Sequence, residues 1–172
     1  MLDFLFRRLT ADPARGAELF AAVTRIARQP RWYVEGTVPD TIDGRFGVLA
    51  TVTALVMVRL EADGDAGIPA SVALTERFVE VMESEHREMG LGDPTLGKTV
   101  RKLVGSLGRR NELWRSALAA AVPDWCAATQ PSLYKGSAPP DAIEHSSQAL
   151  ERLWAKLESL DLTEIAQGRL QK

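Results

Sequence analysis

Phe46 to Val58 is the most apolar run of the chain, and it lies inside a longer segment, Thr41 to Leu60. Phe46, Leu49, Val52, Val56 and Leu60 recur there at helical spacing, while Val48, Leu55 and Val58 extend the apolar surface around the same cylinder. The β-branched residues also admit a strand, but the length and the lack of interior turns favour a helix. The run is too short to span a bilayer and ends at Arg59. A helix apolar on most sides must be covered on most sides, so other segments of the chain have to pack around this one.

Those segments read as amphipathic helices. Asp12-Pro13 signals a start, and Leu19, Phe20, Val23, Ile26 and Ala27 make an apolar face that stops at Gln29-Pro30. Before it, Leu2, Leu5, Phe6 and Leu9 form a short stripe, read as packed on the domain, with a peripheral membrane or partner contact as the alternative. Trp32-Tyr33-Val34 opens a connector. Ser71 can cap the next helix, whose stripe is Leu74, Phe78, Val81, Met82 and Met89, with Glu76, Glu80 and Glu83 opposite. Leu96, Val100, Leu103, Val104 and Leu107 give another apolar face, and Leu113, Trp114 and Leu118 suggest a further segment ending before Pro123. Pro123-Asp124-Trp125 can start a short helix, and 130–140 reads as irregular. Ile143, Leu150, Leu153, Trp154 and Leu157 then mark a long helix, and Thr163 begins a short terminal one. The expectation is all-α: a single compact domain of about six to eight helices, with 1–30 packed on a body of 31–172.

Charge singles out Glu85 to Arg110. An acidic helical pattern stops at Gly90, and Asp93-Pro94 has the order of a cap and a first helical residue. Lys98, Arg101, Lys102, Arg109 and Arg110 then follow with no acid among them. Gly97, Gly105 and Gly108 each weaken that helix by about 1 kcal/mol relative to alanine, a cost that close approach by a neighbouring helix or a partner would justify. Glu85 falls within the apolar stripe, where a salt bridge to the next helix is the simplest provision. The basic face is either solvated, paired with the acidic helix, or a surface for RNA, an anionic membrane or an acidic protein; charge alone does not choose.

No nucleophile elbow, P-loop or dinucleotide glycine fingerprint occurs. Anion binding by the amides at the start of the basic helix is opposed by Asp93. Cys126 is the single cysteine, and His86 and His145 are far apart, so no disulfide, metal or cofactor is expected. A net charge of −2 excludes a general polyanion binder, DNA included. The first residues lack the form of a secretory signal, which leaves a cytoplasmic protein as the expectation. An enzyme or ligand receptor would have to use Glu85, His86 and Arg87, whose adjacency does not place them on one helical face. A self-associating helical scaffold is a further alternative.

Val38-Pro39-Asp40-Thr41, followed by Asp43-Gly44-Arg45-Phe46, resembles the start of the ubiquinol–cytochrome c chaperone family domain. The stretch Arg87-Glu88-Met89-Gly90-Leu91-Gly92-Asp93 is similar to that family's second landmark, which maps onto Arg87, Glu88, Gly90, Gly92 and Asp93. Leu96-Gly97-Lys98 with Val100-Arg101-Lys102 resembles the third, which maps onto Gly97, Lys98 and Lys102. Many members carry Leu-His inside the central helix, where this chain reads Ala50-Thr51-Val52. The resemblance covers about Trp32 to Arg110, and it implies a non-enzymatic assembly factor for the cytochrome bc1 complex. It implies as partners newly made cytochrome b or another bc1 subunit, the ribosome and a partner chaperone, with peripheral contact at the inner membrane. On that reading an apolar groove between helices shields a nascent membrane segment. Lys98, Arg101, Lys102 and Arg109 would then face the partner.

Overall fold

Thr41 sets the start of the central helix. Its hydroxyl accepts a hydrogen bond from the Gly44 amide at 3.2 Å, relieving one of the amides that a first helical turn leaves unpaired. The computed structural model describes residues 16–88, 90 and 93–170. Among them lie seven α-helices and no strand: α1 (Ala17–Ala27), α2 (Ile42–Glu61), α3 (Ile68–Glu88), α4 (Asp93–Leu118), α5 (Trp125–Leu133), α6 (Pro140–Glu158) and α7 (Leu162–Ala166). Short 3-10 turns stand at Pro30–Trp32 and Gly64–Ala66. The stripe Leu2, Leu5, Phe6, Leu9 and the Asp12-Pro13 start lie outside the described residues.

α2 is the axis of the domain. It packs against α1, α3, α4, α5 and α6, and Val48, Val52, Leu55, Val56 and Leu60 are fully buried on its several sides. Thr51 and Thr53 are equally buried, and each hydroxyl turns back to a carbonyl one turn earlier, Gly47 at 2.8 Å and Leu49 at 2.7 Å. Thr51 also meets the Ser132 hydroxyl at 2.9 Å, and that hydroxyl accepts from Trp114 Nε1 at 3.0 Å. One buried polar knot therefore ties α2 to α4 and α5. A second knot forms at the Tyr134 hydroxyl, which donates to the Gly36 carbonyl at 2.6 Å and meets Ser146 Oγ at 2.9 Å, joining the connector after α1 to α6.

Several helix boundaries differ from the sequence expectation. α4 is one helix through Gly105 and Gly108, not two, because Leu107 and Trp114 are buried on one continuous side. Ser71 lies inside α3, which already begins at Ile68, and its carbonyl accepts from Thr75 Oγ1 at 2.9 Å. Residues 130–133 belong to α5, with Pro131 in its last turn; Asp124 caps that helix, accepting from the Ala127 amide at 2.9 Å. α7 carries a full capping box between Asp161 and Glu164.

The far end of α2 is fastened to α4. Glu61 accepts from both Arg115 Nε and Nη2 at 2.8 Å and from Asn111 Nδ2 at 2.9 Å. The hydrogen bond from Arg115 holds the Glu61 carboxyl below its ordinary value of 4.5. A depressed carboxylate stabilises the fold fully above its unfolded value, and that contribution is lost as pH falls through the folded one. Glu61→Gln should therefore lower stability at pH 7, by under about 1 kcal/mol because the pair is partly exposed, and should shrink the acid sensitivity below 4.5. Urea unfolding of both proteins across that range measures the difference.

Candidate functional site

The first turn of α2 is built by residues that precede it. Asp40 pairs with Arg45 Nε at 2.6 Å, and the Pro39 carbonyl lies so close to Gly44 that a side chain there would overlap it. This arrangement aims Ile42, Phe46 and Leu49 out of the helix toward α1 and α3. Phe46 stacks at a tilt on Phe78, with centroids 6.0 Å apart, and Phe78 meets Phe20 edge-on at 6.5 Å. The three rings reach from α2 across α3 to α1.

Beside these rings a groove of about 530 Å³ opens between α1, α2, α3 and α4. Its lining is mostly apolar: Phe20, Phe46, Leu49, Val81, Met82 and Leu103 contribute to it. Ile42 stands at its mouth, 66% exposed. Tyr33 closes one side; its hydroxyl donates to the Ala27 carbonyl at 2.9 Å, and burial pushes its phenol up despite the Arg45 charge nearby. The Thr24 hydroxyl is buried in the wall with no hydrogen-bond partner among the described residues. Charges mark the rim, where Asp43, Arg45, Glu85 and Glu88 line the opening.

Glu85 does not make the bridge expected of it. It is exposed and has no ion pair among the described residues, because the groove leaves its position open to water. His86 lines the same wall, with Nδ1 2.7 Å from the Met82 carbonyl. Glu85 and His86 thus share the groove, while Arg87 is outside its lining. An open, largely apolar cleft suits contact with apolar side chains better than proton transfer.

On α4, Lys98, Arg101, Lys102 and Arg109 are exposed, and none is ion-paired among the described residues. Pairing with the acidic helix is therefore not what these side chains do. Arg110 leaves the face: Nε donates to the Ser132 carbonyl at 3.0 Å, Nη1 donates to Ser106 Oγ at 2.5 Å, and its guanidinium lies 5.9 Å from the Phe46 ring. Burial, then the charge of Arg109, pulls its pKa down. Lys102 adjoins the groove mouth. Asp43 is held below the usual carboxylate range by its hydrogen bond to Lys135 at 2.5 Å, and the Lys102 charge acts on it in the same direction. Through Lys102 the basic face approaches the groove.

The turn between α3 and α4 is set by Gly90 at φ 84°, whose amide donates to the Arg87 carbonyl at 3.0 Å. Arg87 and Glu88 are exposed beside it. Gly92 and Met89 lie outside the described residues, as does the side chain of Asp93, so the cap expected there does too. Among the described residues no neighbouring helix approaches the glycines of α4. A Cβ at Gly97 or Gly108 would meet nothing within 4 Å, and at Gly105 only Arg109 Nη1 at 3.6 Å. An apolar groove between helices is what the resemblance implied, but its lining of Ile42, Tyr33, Met82 and Leu103 had no signal in the sequence, since those residues come from four separate segments.

The family model described as ubiquinol–cytochrome C chaperone matches residues 35–171. The crystal structure of the Cbp3 homolog from Brucella abortus is similar at a TM-score of 0.74 and 25% sequence identity, over 98% of this chain and 94% of that one. No curated protein matched the sequence. With the family match running from the connector before α2 past the end of α7, the chain belongs to the ubiquinol–cytochrome c chaperone family.

Proposed function

We propose that this protein is a non-enzymatic assembly chaperone of the cytochrome bc1 complex that holds an apolar segment of newly made cytochrome b against the groove between α1 and α4. The observation that carries this reading is the groove: about 530 Å³, largely apolar, with Ile42 exposed at its mouth. A cleft of that size takes several side chains from one face of an amphipathic or membrane-destined helix. Among the described residues no helix is long and apolar enough to cross a membrane, so contact with the bilayer would be peripheral.

The exposed cations of α4 supply the second half of the reading. Lys98, Arg101 and Lys102 have no ion pair among the described residues and are presented on a helix whose glycines leave the surface open, and the charge of Lys102 reaches Asp43 at the groove. They would orient the chaperone on an anionic partner, such as the ribosome at which the client emerges or a partner chaperone. The joint reversal Lys98→Glu, Arg101→Glu and Lys102→Glu should cut recovery of cytochrome b and of ribosomes at least about tenfold, or about 1.4 kcal/mol, with the helical circular dichroism signal unchanged. Undiminished recovery would remove the basic face from the mechanism.

A further inference from the structure

A second depression of about 410 Å³ lies on the Pro30–Trp32 turn and α6 and shares no residue with the groove. Its floor includes Leu153 and Leu170, and its polar edge is Gln29, Arg31, Arg152 and Lys156. Three cations gather here, and none has a carboxylate within ion-pairing distance among the described residues. Arg152 is close enough to Arg31 that its charge, after burial, lowers the Arg31 pKa.

Arg31 carries a donor that its neighbours do not meet. Its Nε is buried from solvent and has no acceptor among the described residues. Its guanidinium carbon sits 5.1 Å from the centre of the Trp32 ring, and Trp32 is fully buried and pinned by Nε1 donating to the Ile26 carbonyl at 2.7 Å. The guanidinium is thus held by a fixed ring. Arg31 as a whole is half-buried, so the cost of this one covered donor is modest, and the like charge beside it adds to that cost. An anion between the cations would remove both penalties.

We propose that Arg31, Arg152 and Lys156 form a binding site for a phosphate group, either free or carried by a lipid headgroup. A guanidinium presents paired N–H donors in the geometry that phosphate oxygens accept, and two further cations offset a multiply charged anion. The apolar floor accommodates the organic part of a phosphoester. A nucleic acid strand would ask instead for a row of cations along an extended track. The site is independent of the groove and of α4, so its failure leaves the chaperone reading untouched.

Inorganic phosphate titrated into the full chain by calorimetry, and flotation with vesicles of equal parts phosphatidylcholine and phosphatidylglycerol, test the assignment. Two variants accompany the unaltered protein: Arg152→Glu with Lys156→Glu, which leaves Arg31 and Trp32 in place, and Arg31→Lys, which keeps the charge but removes the fork. Saturable phosphate binding that weakens at least tenfold in both variants is the expected result, with circular dichroism unchanged. Flotation lost in the same variants assigns the phosphate to a lipid; phosphate binding without flotation assigns it to a free phosphoester. Neither binding nor flotation, affinity retained in the double variant, or capture of an RNA oligonucleotide alone would overturn the proposal.

Discussion

An Ile42→Glu variant is expected to keep its fold and to lose the cytochrome b segment proposed for the groove. Ile42 is the first residue of α2 and is 66% exposed, so no core packing depends on it. An acid in the first turn is favourable to the helix dipole, worth about 0.3–1 kcal/mol, so thermal stability should hold or rise slightly. The same carboxylate stands at the mouth of the groove, where a bound apolar segment would have to bury it without a partner. Client recovery should fall on the order of a hundredfold, about 2.7 kcal/mol, as read by co-isolation from membranes. Ile42→Leu, which keeps an apolar side chain there, should retain the client. Equal recovery with Ile42→Glu would show that the client lies elsewhere.

Gly44→Ala is expected to act against its usual sign. In most helix interiors alanine stabilises over glycine by about 0.5–1 kcal/mol. At Gly44 the added carbon would overlap the Pro39 carbonyl oxygen, which is backbone and cannot turn aside. The strain should cost at least about 2 kcal/mol and loosen the turn that aims Ile42 and Phe46. Gly108→Ala is the control: a Cβ there meets nothing within 4 Å, so it should stabilise by about 0.5–1 kcal/mol. Urea unfolding of the two variants measures both signs in one experiment. A neutral or stabilising Gly44→Ala would contradict the account of the Pro39–Gly44 contact.

The central helix was legible because several signals agreed. The apolar spacing from Phe46 to Leu60, the length of the segment and the absence of turns inside it all pointed to a buried helix, whereas the Thr41 cap emerged only from the structure. Where signals conflicted, packing decided. The glycines of α4 lower helix propensity locally, yet Leu107 and Trp114 are buried along one side and carry the helix through. Pro131 breaks a helix in its interior, but in α5 it falls in the last turn, and Ser132 beyond it is held by Thr51, Trp114 and Arg110.

The landmark residues were visible, but their physical work was not. Asp40 and Arg45 brace a turn, and Gly44 admits a carbonyl. Arg110 looked like part of the basic face until its contacts with Ser106, Ser132 and Phe46 turned it inward. The groove, and the approach of Arg31 to the i,i+4 pair Arg152 and Lys156, are juxtapositions of distant segments, which no spacing rule in one dimension encodes. Thr51 shows the same limit: its hydroxyl has a buried partner in Ser132 that only the fold brings near.

Photocrosslinking from position 42 in native membranes tests the central claim most directly. A photoreactive residue at the groove mouth should capture cytochrome b in an early assembly intermediate, and the adduct should disappear when Leu49 in the groove is also changed to Glu. Capture of a soluble metabolic protein in place of cytochrome b, or an adduct indifferent to the Leu49→Glu change, would contradict it.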